Sequence, residues 1–174
     1  MNKALFLDRD GVVNVEINYL YKKEDFVFIE GVLGLCKHFQ KLGYIIIIVT
    51  NQSGIARGYY DENAFESLSG WMLNEFSKNG IEIKKVYYCP HHPEISGECS
   101  CRKPSPGMIL EAKDEFNIDL ENSILVGDKE SDIEAALAAG IKTTYLFDAL
   151  EEVEFTKASK KVSKLGDIYN ADFK

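Results

Sequence analysis

The sequence predicts an α/β fold in which helices cover both faces of a doubly wound, mainly parallel sheet of the Rossmann type. Short apolar runs lack the alternation of half-exposed strands, helical patterns lie between them, and no internal repeat or linker interrupts the succession. With 174 residues, 45% of them hydrophobic, the chain is long enough to bury one self-sufficient core. We therefore expect a single domain over residues 1–174.

The first half of the chain carries the clearest of these patterns. Residues 4–7 (ALFL) and 45–49 (IIIIV) are uninterrupted apolar runs, which indicates strands buried on both faces. Between them, residues 31–42 place apolar side chains on one face of a predicted helix, and Gly43 provides a stop. This strand, helix, strand order predicts a right-handed crossover in a parallel sheet.

The second half continues the same alternation. The remaining predicted elements are, in chain order, a helix capped by Asp61 and running to about Asn79, a strand near 85–88, a helix starting at Ser105 and Pro106, a strand at 124–126, a helix near 131–139 and a strand near 143–147. The segment after Asp148 is weakly patterned and receives no assignment.

The charge of the chain excludes several classes of partner. A formal net charge of -8 argues against nonspecific nucleic-acid binding, which depends on Lys and Arg neutralising phosphates. No stretch approaches the roughly 20 apolar residues of a membrane span, and charge at Asp8 prevents a signal-peptide pattern. We expect a cytoplasmic monomer that binds neither nucleic acid nor membrane.

The first motif with chemical potential is Asp8-Arg9-Asp10-Gly11, directly after the first strand. Two carboxylates this close repel each other, and a divalent cation relieves that repulsion while organising a phosphate. One carboxylate can attack phosphorus, and the other can protonate the leaving oxygen and then activate water. An ordinary acidic turn would also fit this motif alone.

Three further polar segments follow predicted strands or the loop after one. Residues 50–58 (TNQSGIARG) offer hydroxyl, amide and backbone donors for phosphoryl oxygens. Arg102-Lys103-Pro104 supplies a guanidinium fork and a point charge. Residues 127–132 (GDKESD) contain Asp128, a plausible magnesium ligand, with Asp132 as a helix cap or a support for the site. Because ligands bind outside the carboxyl ends of such strands, we expect these segments to converge.

The cysteines are distributed unevenly. Cys36 lies alone in a helical pattern, whereas Cys89-Pro90-His91 and Cys99-Ser100-Cys101 form a cluster. Three thiolates and one imidazole complete a tetrahedral zinc site with no open position, which predicts a structural metal. A loop of free cysteines is the alternative.

These motifs together resemble the haloacid dehalogenase (HAD) superfamily of phosphatases, which shares DxDG, a strand-end Thr, a Lys before Pro, and GDxxxD. The resemblance covers residues 3 to about 148. Within it, DRDGVVN, TNQSGIARG, CPHHP, CxCRKP and GDKESD are similar to the bacterial D-glycero-D-manno-heptose 1,7-bisphosphate phosphatases, with the histidinol phosphatases as the nearest group. Many superfamily members have Thr where this chain has Val12, but the chemistry does not require that hydroxyl.

The resemblance implies an activity and a role for each matching residue. It implies removal of the 7-phosphate of a small phosphorylated sugar, with Asp8 as nucleophile, Asp10 as general acid/base, and Thr50 and Lys103 steadying the phosphoryl group. Magnesium would be held by Asp8, the carbonyl of Asp10 and Asp128. Zinc would be held by Cys89, His91, Cys99 and Cys101, with His91 preferred over His92 because related phosphatases bind zinc in that pattern. The residues implied in substrate binding are Glu16, Asn18, Tyr19, Asn51, Gln52, Ser53, Arg57 and Arg102.

Two other functions remain open at this point. A histidinol-phosphate phosphatase would use the same chemistry, although the SGIARG sequence favours the heptose group. A noncatalytic, zinc-stabilised binding module would keep only the fold. A separate cap domain is not expected, because only a helix and part of a loop fit between Asp8 and Thr50.

Overall fold

The computed structural model describes residues 1–171 and contains one six-stranded parallel sheet. The strand order is β3-β2-β1-β4-β5-β6, with all neighbours parallel. The strands are β1 (Lys3–Leu7), β2 (Tyr44–Asn51), β3 (Ile83–Cys89), β4 (Ile124–Gly127), β5 (Thr143–Phe147) and β6 (Lys160–Val162). The chain winds outward from β1 to β3 and then returns to β4, which confirms the doubly wound prediction.

Helices cover both faces of this sheet. They are α1 (Val32–Lys41), α2 (Glu62–Lys78), α3 (Pro93–Ser96), α4 (Gly107–Phe116), α5 (Glu130–Ala139) and α6 (Gly166–Ala171). Buried residues of α1, α2 and α6 pack on one face, and those of α4 and α5 pack on the other. Successive residues of β1 point alternately into these two cores, so both faces of the strand must be apolar.

The helix ends differ slightly from the sequence prediction. Gly31 lies outside α1 at a φ of 90°, a left-handed conformation that glycine adopts without steric cost. Helix α5 begins at Glu130, because the side chain of Asp132 accepts hydrogen bonds from the backbone N–H groups of Asp128 and Lys129.

The segment after β5 adds elements that the sequence pattern does not predict. Strand β6 pairs with β5 from Tyr145↔Lys160 to Phe147↔Val162, and α6 packs against α1. Between β1 and β2 the described chain forms α1 and a 3₁₀ turn at Lys23–Asp25, in agreement with the expected lack of a cap domain. No helix within residues 1–171 combines the length and the apolar character needed to cross a membrane.

Candidate active site at the carboxyl edge of the sheet

The ends of β1, β2 and β4 meet the Arg102 to Pro104 loop around one pocket of about 460 Å³. Asp8 follows β1 directly, and its backbone N–H donates to the Val126 carbonyl of the adjacent β4. The pocket is lined mainly by polar residues, including Asp8, Asp10, Glu16, Asn18, Tyr19, Asn51, Gln52, Ser53, Arg102 and Lys103. The structure therefore brings most of the sequence-predicted residues together at the expected edge.

Lys103 is the central cation of this site and is almost fully buried. Its Nζ donates to Asp8 Oδ1 at 2.8 Å and to the Val49 carbonyl at 2.8 Å, and it lies 2.6 Å from Asp132 Oδ1. Burial would lower the pKa of Lys103, but the carboxylates of Asp132 and Asp8 hold it above its ordinary value. All three ammonium donors are thus aimed at acceptors, which fixes the charge beside Asp8.

Three carboxyl groups lie together at this site, and two of them, Asp8 and Asp132, line the pocket. Oxygens of Asp8, Asp128 and Asp132, called here the acid cluster, lie within 4.8 Å of one another. Burial, followed by repulsion from Asp132, raises the pKa of Asp8 to about 6 although Lys103 opposes this. Burial, followed by Asp8 and Asp132, raises the pKa of Asp128 to about 9. These groups repel one another as anions.

The acid cluster fits a divalent cation on structural grounds. Asp128 Oδ1 is buried and has no hydrogen-bond partner among the described residues, so it offers a free ligand atom. Gly11, at a φ of 93°, makes this arrangement possible, because a Cβ there would lie 2.1 Å from Asp128 Oδ2. A hard cation would replace the repulsion between carboxylates with attraction.

The second acid of the first motif has different surroundings. The Asp10 carboxylate accepts hydrogen bonds from Arg9, from Asn14 Nδ2 at 3.0 Å and from Gln52 Nε2 at 3.0 Å. Arg9 is buried and also donates to the Leu20 carbonyl at 3.1 Å. Asp10 is therefore held on its own set of donors, apart from the acid cluster.

Asn51, the last residue of β2, connects this strand to the Arg102 to Pro104 loop. Its Nδ2 donates to the Lys103 carbonyl at 3.2 Å, and its Oδ1 accepts from the Lys103 N–H at 3.0 Å. Thr50 is buried beside it, and its Oγ1 accepts from Gln52 Nε2 at 2.9 Å. The amide of Asn51 is thus used to position the lysine rather than left open to the pocket.

Some pocket residues were missed by sequence reasoning, and the predicted substrate-binding residue Arg57 lies elsewhere. Lys129, which directly follows Asp128, lines the pocket and pairs with Glu16 at 3.0 Å. Its position in the same strand-end segment was a signal that could have identified it. Arg57 does not line the pocket, and its Nη2 lies 2.9 Å from His92 Nε2. Its substrate-binding role stays a prediction.

The sulfurs of Cys89, Cys99 and Cys101 form a second group, called here the thiol cluster. The structure joins Cys89 and Cys101 as a disulfide, and Cys99 Sγ lies 3.5 Å from each of them. Among the described residues His91 is not part of this group, although its carbonyl accepts from Arg102 Nη1 at 3.3 Å. Three sulfurs this close suit a soft metal when they are reduced, and a two-electron oxidation of Cys89 and Cys101 with loss of the metal would give the disulfide.

Comparisons with known proteins agree with this geometry. The HAD-hydrolase-like family model matches residues 100–152, which contain the Arg102 to Pro104 loop and β4. A D-glycero-alpha-D-manno-heptose-1,7-bisphosphate 7-phosphatase of Campylobacter jejuni is 49% identical over 164 residues, covering 94% of this chain and 93% of that protein. The corresponding beta-anomer phosphatase of Vibrio cholerae is 52% identical over 148 residues, covering 82% and 80%.

A solved structure shows the same architecture with ligands. The D,D-heptose 1.7-bisphosphate phosphatase from B. bronchiseptica, complexed with magnesium and phosphate, superposes with a TM-score of 0.84 at 28% identity and covers 96% of each chain. Phosphatases of this superfamily use Mg²⁺, and they hydrolyse phosphate esters, which leaves the noncatalytic alternative without support. The chain belongs to the HAD-like phosphatases, in the family of the D-glycero-D-manno-heptose-1,7-bisphosphate 7-phosphatases.

Proposed function

We propose that this chain hydrolyses the 7-phosphate of D-glycero-D-manno-heptose 1,7-bisphosphate through an aspartyl-phosphate intermediate on Asp8. The observation that carries the proposal is the buried ion pair in the pocket lining, in which Lys103 Nζ lies 2.8 Å from Asp8 Oδ1. The same cluster contains Asp128 Oδ1, which has no hydrogen-bond partner within residues 1–171. We infer the heptose bisphosphate substrate from the similar 7-phosphatases of Campylobacter jejuni and Vibrio cholerae. A pocket of about 460 Å³ suits a small sugar phosphate.

The reaction has two steps on this chain's residues. In the first, an oxygen of Asp8 forms a bond to phosphorus, the bond between phosphorus and the sugar oxygen breaks, and Asp10 gives that oxygen a proton. In the second, Asp10 takes a proton from water, whose oxygen attacks phosphorus and releases Asp8. Lys103 and Thr50 stabilise the charge on the transferring group in both steps.

Two metals accompany this proposal. Magnesium, held by Asp8, the Asp10 carbonyl and Asp128, would neutralise the acid cluster and the phosphate oxygens. Zinc, held by the thiol cluster together with His91, would fix the loop that ends at Arg102 without entering the chemistry. The structure's free oxygen at Asp128 and its three adjacent sulfurs support these assignments.

The remaining substrate contacts come from the pocket wall. We propose that Arg102, Ser53 and the segment 16–19, all of which line the pocket, contact the part of the substrate that is not transferred.

We also propose that residues 1–174 form one domain and that the protein is a monomer. We expect it in the cytoplasm, where thiolate ligands stay reduced. Light scattering during gel filtration would test the monomer.

The deciding experiment compares two substrates. Phosphate release is measured from heptose 1,7-bisphosphate, as both anomers, and from histidinol phosphate, each with Mg²⁺ and with EDTA. We expect the heptose to be preferred by about 100-fold or more in kcat/KM, because only the heptose carries a second phosphate that the Arg102 guanidinium in the pocket lining can bind. NMR of the product should show that the 1-phosphate is retained. Equal rates on both substrates, or release of the 1-phosphate, would contradict the proposal.

A further inference from the structure

The side-chain amide of Gln52 connects two groups of the proposed reaction. It is 3% exposed, and its Nε2 donates to Asp10 Oδ2 at 3.0 Å and to Thr50 Oγ1 at 2.9 Å. An amide nitrogen carries two hydrogens, so both donors are used within the protein. A single planar group therefore sets the distance and orientation between the acid/base carboxylate and the threonine hydroxyl.

This amide works only in one orientation. If it were rotated by 180°, its carbonyl oxygen would face the Asp10 carboxylate, and a favourable hydrogen bond would become a repulsion. The Asp10 carboxylate, which only accepts, therefore selects the observed orientation, and the Tyr60 hydroxyl donates to Gln52 Oε1 and satisfies the amide oxygen in that orientation. Burial raises the pKa of Tyr60 to about 12, so the hydroxyl keeps its proton at neutral pH.

Two neighbours, Tyr21 and Gly54, determine where the Tyr60 ring lies. The ring stacks on Tyr21 with centroids 5.6 Å apart and planes 12° apart. Gly54 also lies close to this ring, and a Cβ at Gly54 would approach Tyr60 Cε1 to 2.2 Å. Only glycine at this position lets the ring come close enough to reach the buried amide.

We propose that Tyr60, acting through Gln52, is a positioning residue that holds the Asp10 carboxylate and the Thr50 hydroxyl in the arrangement needed for phosphoryl transfer. Because Thr50 Oγ1 accepts from Gln52, its own hydrogen is available to another acceptor, and the contact it makes with the Asn51 carbonyl is long at 3.5 Å. A phosphoryl oxygen can replace that carbonyl. The inference rests on the proposed function.

A double-mutant cycle tests it, with phosphate release from heptose 1,7-bisphosphate and Mg²⁺ as the assay. Tyr60→Phe keeps the ring and removes the donor, and we expect kcat to fall about tenfold with KM within about twofold. In the Gln52→Met background the same change should alter kcat less than about twofold, because Tyr60 acts through the missing amide. Gln52→Leu provides a second background if the methionine variant does not fold.

The matched control is Tyr59→Phe, since Tyr59 is the exposed neighbour of Tyr60 and its ring contact with Tyr19 survives the change. It should leave kcat unchanged. A purely structural role for Tyr60 would lower kcat by the same factor in both backgrounds, and that result, or an unchanged kcat in Tyr60→Phe, overturns the inference. An inactive wild-type protein would instead overturn the proposed function.

Discussion

The acid cluster and the thiol cluster are built in opposite ways. In the acid cluster, Asp8 and Asp128 directly follow the paired strands β1 and β4, and Asp132, in the first turn of α5, accepts from the Asp128 N–H. Regular elements therefore place all three members. The members of the thiol cluster come from the end of β3 and from the irregular chain after α3, so no ladder positions two of its three sulfurs. Regular secondary structure assembles the acid cluster, whereas the thiol cluster holds a stretch of irregular chain against the end of β3.

This difference predicts where each cluster is vulnerable. In the acid cluster the backbone stays in place when a side chain changes, so the loss should appear in chemistry and in local charge balance. In the thiol cluster the backbone depends on the bonds between sulfurs or to a metal, so a change should appear first in metal content and loop order.

The largest effect is expected at the nucleophile. Asp8→Asn keeps the shape of the side chain but cannot form the phosphoenzyme, so kcat should fall by on the order of 10⁴-fold or more. Because Asp8 is buried beside other carboxylates, the variant should unfold at the same or a higher temperature without metal. Both are measured by phosphate release and by thermal denaturation. Normal turnover in this variant would show that the reaction does not pass through Asp8.

The next effect is expected at Lys103. Lys103→Met leaves Asp8 and Asp132 without their buried cation, which should cost about 3–5 kcal/mol of unfolding free energy and about 10²- to 10³-fold in kcat. Urea denaturation and phosphate release measure the two losses. Lys157→Met is the control, because its ion pair with Glu134 is solvent-exposed and should matter far less. Equal losses in the two variants would mean that burial of the pair is unimportant.

A smaller effect is expected from pH in the metal-free protein. The pKa of Asp8 is raised to about 6 and that of Asp128 to about 9, so between about pH 4 and 9 these two groups bind more protons in the folded state than in the unfolded state. Their contribution to stability should then fall as the pH rises through this range. Added Mg²⁺ should remove most of the fall, because the cation takes the place of the protons. Melting temperatures measured across this range with Mg²⁺ or EDTA test it, and a rise with pH in EDTA contradicts it.

The smallest effect on activity is expected in the thiol cluster. Cys99→Ser should abolish the binding of about one zinc per chain and lower kcat only several-fold, since the proposed zinc would position Arg102 and would take no part in the reaction. Cys36→Ala is the control, because this buried thiol lies in α1. Metal analysis measures the zinc, and equal zinc in both variants would place the metal elsewhere.

A thiol titration separates the two states of the thiol cluster. The chain has four cysteines, and all four should react after denaturation with a chelator if the loop binds zinc. Two should react if Cys89 and Cys101 are joined, because Cys36 and Cys99 are then the free thiols.

Sequence reasoning predicted the sheet and the edge where its polar strand ends meet, because both depend on local patterns. A strand buried on both faces must be continuously apolar, as residues 45–49 are, and its carboxyl end must then carry the polar groups. The segment after Asp148 escaped prediction because β6 has three residues and only Val162 of them is partly buried. Its pairing with β5 supplies the order that its own pattern lacks.

The chain's order of strands, helices and polar strand ends by itself determined the fold class and the edge at which Asp8, Thr50, Lys103 and Asp128 meet, because parallel strands present their carboxyl ends on one side. Only the tertiary structure decided which groups the site residues contact. Lys103 lies between two carboxylates, and Gln52 donates to Asp10 and Thr50 while it accepts from the Tyr60 hydroxyl. Hydrogen bonds and charges act over a few ångströms, and residues distant in sequence come that close only after the chain has packed.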